Sequence, residues 1–182
     1  MNAPNAASRA RATNKTARKK VAAKKCEDCE KKKKKCDAKL PDDPTTRKVA
    51  LTIFAEAGAS SSSAEFEAVA SVMHNRVGRR DFGNPQDLDG VLSKTYYDRR
   101  SGSRKYEFHG YQNPRYKAGE SGDLDPGDCE ALKKAIAAAE SVAQNGVPAA
   151  YKDYTFFAAA NAVSDQSRGT VIGKTIFGSK QF

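Results

Sequence analysis

The positive charge of this chain stops at residue 40, and that boundary decides which part of it can close around a core. Residues 1–40 hold 14 of the 32 Lys and Arg residues and 4 of the 22 Asp and Glu residues, which accounts for the whole formal charge of +10. Residues 41–182 hold 18 of each sign and are neutral. A basic nucleic-acid footprint across that neutral segment is therefore not supported. In the first 25 residues Val21 is the only large aliphatic side chain after Met1, so this stretch is expected to be disordered or transiently helical. No apolar run reaches the roughly 7–15 residues of a signal-peptide core or the roughly 18 of a membrane span. A product acting outside its producing cell would then need another route of delivery.

Pro41-Asp-Asp-Pro44 is a rigid polar break. It divides the chain into a Lys- and Cys-rich tail and linker, 1–44, and a domain, 45–182. In the tail, Cys26-Glu-Asp-Cys29 and Cys36 flank a lysine run. CxxC is a common zinc half-site, but no neighbouring fourth ligand follows, so Cys26, Cys29 and Cys36 are weak metal candidates. The spacing of Ala22, Cys26, Cys29, Cys36 and Leu40 also fits a short helical seam, and a solvated linker with incidental thiols is a third reading. The irregular cysteine spacing does not establish an oxidising compartment.

Beyond the break the chain reads as helices first and short strands last, an α+β pattern that is mostly helical. Thr45 is a candidate cap for a first helix whose buried face carries Val49 and Ile53, with Phe54 beside them. Glu56 lies seven after Val49 and three after Ile53, so a carboxylate falls on the packing face or its edge just before Gly58. Such a group must be paired, protonated or useful. Ser62-Ser-Ala-Glu65 is a capping-box pattern for a second helix with a core stripe of Phe66, Val69, Met73 and Val77. Asn75 and Arg76 stand near its inward edge. Asp125-Pro126 opens a third helix whose stripe is Leu132, Ile136, Ala139 and Ala143, stopped by Gly146 and Pro148. Two short strands are expected in 154–157 and 170–177.

Residues 79–127 are punctuated by Gly and Pro, leaving room only for short elements such as 90–97. Seven aromatic residues lie there, among them Tyr106, Phe108 and Tyr111. Rings with polar tips on loops suit a sugar, which offers a C–H face to the ring and hydroxyls to its neighbours. They would equally serve base stacking or close a small core under the loops.

Taken in order, Thr52-Ile-Phe-Ala-Glu56-Ala, Ala68-Val-Ala-Ser-Val72-Met-His-Asn75-Arg76-Val77, Tyr106-Glu-Phe108, Tyr154-Thr-Phe-Phe157 and Ile172-Gly173-Lys-Thr-Ile-Phe177 resemble the motifs of the SleB-type cell-wall hydrolase family. The likeness runs from about residue 46 to the end of the chain. It implies a lysozyme-like domain with a small β element that cleaves peptidoglycan glycan strands between N-acetylmuramic acid and N-acetylglucosamine. Glu56 would be the catalytic acid. Asn75, Tyr106, Phe108, Tyr111 and Tyr154 are the expected substrate-binding positions, and no cofactor is expected. The chain departs from the family's pattern at Ser60, where a second acid is frequent, at Glu107 for Gln, and at Lys174 and Thr175 for Asn and His.

Two chemical outcomes follow. A single carboxylate gives the lytic transglycosylase route, in which Glu56 donates a proton and then takes one from the sugar's own 6-hydroxyl. A second carboxylate that activates water gives muramidase hydrolysis, and Glu107, Glu65 and Glu67 are the candidates. A polyanion-binding module using the basic tail is the competing class. For the enzyme readings the expected partners are peptidoglycan, a delivery machine or fusion partner engaging residues 1–40, and an inhibitor or immunity protein. The expected place of action is the periplasm or cell wall, reached from a phage particle, a lysis system or a contact-dependent secretion machine.

Overall fold

A computed structural model of the chain describes residues 35–181. Readings that fall on residues 1–34, including Cys26, Cys29 and the expected disorder of the tail, lie outside it. The described residues form an α+β unit of five α-helices and two small antiparallel sheets. The helices are α1 Pro44–Glu56, α2 Ser63–Arg76, α3 Leu88–Leu92, α4 Pro114–Ser121 and α5 Pro126–Asn145. None is long and apolar enough to cross a membrane.

Helix α1 is the hub. Val49, Ala50, Leu51, Ile53 and Phe54 are all at most 1% exposed, so it is buried all round and not along a single stripe. Its cap is Asp43, whose carboxylate accepts from the Thr46 N–H at 2.7 Å; Thr45 does not cap it. Pro44 holds the first helical position, where an absent N–H costs nothing. On α2, Ser62 accepts from the Glu65 N–H as the capping box requires, and Phe66, Val69 and Met73 are buried. The box is only half made, because the Glu65 side chain turns to Thr175 instead of back to its own cap. Helix α5 begins at the Asp125 cap and ends at Gly146. Its apolar face runs through Ala135, Ala138, Ala139 and Val142, whereas Ala143 is exposed and falls outside it.

Two elements differ from the expected strands. The loop-rich region holds a hairpin, β1 Thr95–Asp98 and β2 Ser103–Tyr106, and also α4. The C-terminal run splits into β4 Thr170–Ile172 and β5 Thr175–Gly178, which with β3 Phe156–Ala159 give the order β3-β5-β4. Gly173, at φ +62°, makes that split, since a two-residue hairpin turn needs a left-handed residue.

The packed unit reaches back through the residue 41–44 break to Lys35. Cys36 forms a disulfide with Cys129 on α5, and its N–H donates to Gly122 O at 2.9 Å. Ala38 and Leu40 pack against the core. Because its sulfur is spent in this bond, Cys36 is not a metal thiolate. Residues 35–41 are not helical, so the proposed seam does not run through Cys36 and Leu40.

Candidate active site

Glu56 is the last residue of α1, and three contacts fix the helix end that carries it. The Ala57 N–H closes the final turn on Ile53 O at 2.9 Å. Arg115 on α4 donates from Nη1 to Ala57 O at 2.6 Å, lies over the Phe54 ring at 4.3 Å, and pairs with Asp128 of α5 at 2.7 Å. A cation on the closing carbonyls is the favourable partner for a helix C-terminus. The third contact comes from the loop after β2: the Gly110 N–H donates to Glu56 Oε1 at 2.5 Å. No bond from a described residue engages Oε2, which is not among the sealed polar atoms.

Burial pushes the Glu56 carboxyl above its ordinary value; the Gly110 N–H, His109 and Arg76 oppose that rise without cancelling it. A half-buried carboxyl with one oxygen anchored and the other open can hold a proton and deliver it in a fixed direction.

The Gly110 contact depends on the absence of a side chain. A Cβ there would lie 2.7 Å from Thr52 O and 2.9 Å from both Glu56 N and Cγ. Two of these are backbone atoms that cannot swing aside, so Gly110→Ala must lift the loop from α1. We expect a stability loss of about 1–3 kcal/mol. We also expect a turnover loss that persists when activity is assayed well below the variant's Tm; activity that follows the folded fraction alone would assign Gly110 a packing role only.

The three other acids occupy different settings. Glu107 bridges two cations, with Oε2 at 3.3 Å from Arg76 Nη1 and Oε1 at 3.0 Å from Lys94 Nζ. Both of its oxygens are occupied, which removes it as a ready base. Glu65 is 2% exposed; Oε1 accepts from Thr175 Oγ1 at 2.5 Å, and Oε2 is sealed with no partner. Gly173 admits it, since a Cβ there would stand 3.0 Å from the Glu65 Cδ. Glu67 is half-buried at the α2–α5 groove, where Ser141 Oγ donates to it at 3.4 Å.

The expected substrate-binding residues separate into two groups. Phe108 is 1% exposed, with the Arg76 guanidinium 4.8 Å above its ring, and so belongs to the core and cannot touch a sugar. Arg76 also lies 4.4 Å from Phe82 and donates from Nε to Thr155 O. Asn75 spends its Nδ2 protons on Tyr151 O and Tyr154 O, both at 2.8 Å, and so clamps a turn. Tyr154 stacks on Phe177, with ring centroids 5.6 Å apart. Tyr106 and Tyr111 remain half-buried and meet edge to face at 4.9 Å, and Tyr111 continues to Tyr116 at 5.7 Å.

This aromatic line borders the Gly110 loop at both ends. A hollow of about 380 Å³ lined by Arg104, Lys105, Tyr106 and His109 lies at its start. A second of about 430 Å³, with Arg47, Lys48, Tyr111 and Lys117 among its walls, lies at its end. Glu56 lines neither hollow but is bonded to the loop that borders both.

No family model, curated protein or solved structure matches this chain. The likeness to the SleB-type family therefore rests on the five motifs alone. Three of the positions departing from that pattern fall in one cluster: Lys174 Nζ donates to Ser60 Oγ at 2.8 Å, beside the Thr175–Glu65 bond. Gly110, His109 and Arg115 carry no local pattern that marks them, because each acts through a partner distant in the chain.

Proposed function

We propose that the domain is lysozyme-like and cleaves peptidoglycan glycan strands between N-acetylmuramic acid and N-acetylglucosamine as a lytic transglycosylase, with Glu56 serving first as acid and then as base. The observation that carries this reading is the half-buried Glu56 carboxyl, raised by desolvation, anchored at Oε1 by Gly110 and free at Oε2. Protonating a glycosidic oxygen near neutral pH needs such an acid. Hydrolysis would need a second carboxylate holding a water, and the three candidates are bridged, sealed or set at the α2–α5 groove. Tyr106 and Tyr111, both half-buried, supply ring surface beside the loop for sugar C–H faces, with Tyr116 buried behind them.

The Cys36–Cys129 disulfide supports action in an oxidising compartment, the periplasm or the cell wall. Delivery there by a phage or contact-dependent machine engaging residues 1–40, and restraint by an inhibitor or immunity protein, belong to the same proposal.

Mass spectrometry of muropeptides released by the wild type and by Glu56→Gln tests it. Anhydro-sugar products that disappear in the variant are expected. Reducing-end products would mean hydrolysis, and unchanged release by the variant would remove Glu56 from the reaction.

A further inference from the structure

The neutral domain conceals one concentrated patch of positive charge. Residues 94–105 carry Lys94, Arg99, Arg100, Arg104 and Lys105 against Asp98 alone. Lys94 is paired with Glu107, and Lys105 with Asp98. Among the described residues no carboxylate pairs with Arg99, Arg100 or Arg104, and all three are exposed. Three unpaired guanidinium groups on one short hairpin repel each other, a cost that an anionic ligand would relieve.

The hairpin also adjoins the candidate site. In its register Tyr97 stands opposite Arg104 and Tyr96 opposite Lys105, so each face presents a ring beside a cation. Tyr97 is 63% exposed, so its ring is open to a ligand beside Arg104. Arg104 and Lys105 form one wall of the hollow that Tyr106 and His109 complete. Tyr96 is hydrogen-bonded through its hydroxyl to His109 Nε2 at 3.0 Å, one residue before the Gly110 that holds Glu56. Charge, exposed aromatic surface and the Glu56 loop are thus parts of one continuous structure.

We infer that the β1–β2 hairpin is an accessory subsite for the stem-peptide carboxylates of the glycan strand. This rests on the reading of the domain as a glycan-cleaving enzyme. A sugar beside Tyr106 carries its peptide on a lactyl arm, and a four-residue strand extends roughly 13 Å from that point, the reach of a short peptide. The guanidinium forks of Arg99, Arg100 and Arg104 suit carboxylates, and Tyr97 offers a flat surface to the peptide backbone.

The test is calorimetric titration of the full chain, in the Glu56→Gln background, with soluble uncross-linked glycan strands. One preparation keeps its stem peptides, and the other has been stripped by an amidase. Arg99→Gln/Arg100→Gln/Arg104→Gln is expected to weaken Kd for peptide-bearing strands about 5- to 10-fold at low salt, with the difference shrinking as salt rises. Binding to stripped strands should change less than about twofold. Equal weakening on both strands, or none on either, overturns the subsite. So does a variant that loses affinity for a DNA oligonucleotide while keeping it for the strands, which would assign the hairpin to nucleic acid. Product analysis of the wild type keeps the two proposals apart: peptide-dependent binding without cleavage defeats the catalytic reading and leaves the subsite standing, whereas cleavage with an indifferent triple variant does the reverse.

Discussion

Glu56→Gln is expected to lower glycan-strand cleavage by about 10²–10⁴-fold, the contribution of a positioned general acid. The amide can still accept from the Gly110 N–H, so the loop should stay docked and the loss should appear in kcat more than in substrate binding. The same variant should gain stability at neutral pH. Burial raises the folded-state carboxyl above its unfolded value, so the native state pays to ionise Glu56 at any pH above the folded pKa. That penalty fades as pH falls through the folded pKa and is gone below the unfolded one. A gain of about 1 kcal/mol, or roughly 2–4 °C in Tm, is expected at pH 7 and should vanish by about pH 4. A variant that is less stable than wild type at pH 7 would mean that the carboxylate is held by stronger contacts than the single Gly110 bond.

Removal of the Cys36–Cys129 bond should produce the largest loss of stability. It closes a separation of 93 residues, for which chain-entropy arguments give about 4–5 kcal/mol and measured disulfides typically about 2–4. Taking about 3 kcal/mol, Cys36→Ser/Cys129→Ser should melt roughly 10 °C below the oxidised wild type, and dithiothreitol should bring the wild type to the same Tm. The bond is reinforced by the Cys36 N–H to Gly122, by Arg47 Nε donating to Pro41 O at 2.8 Å, and by Lys133 to Asp37 at 2.8 Å. These local contacts should leave the reduced domain folded. A wild type whose Tm ignores reductant would show that the segment is held by packing alone.

Two hydrogen bonds at the β4–β5 turn join parts of the chain that are far apart in sequence. Ser60 and Lys174 lie 114 residues apart and bond each other, while Thr175 bonds the buried Glu65. Together they form a polar seam between the loop after Glu56, the start of α2 and the turn at Gly173.

The sequence by itself determined the helical frame and the position of the central acid. Ser62 and Asp125 mark their helices because a cap satisfies an N–H two or three residues away, and Phe66, Val69 and Met73 define a face because a helix repeats every 3.6 residues. Glu56 was legible for the same reason, from its spacing to Val49 and Ile53. The four-residue strands of the hairpin were not, since their alternation is too brief to rise above a Gly-rich loop. Only the tertiary structure decided what surrounds the acid. Gly110 meets Glu56 across 54 positions, Arg76 and Lys94 occupy Glu107, Phe108 is taken into the core, and Cys36 finds Cys129. Local patterning records which neighbours share a face. Which distant loops close on one another depends on how all the faces pack at once, and that packing sets the desolvation of Glu56.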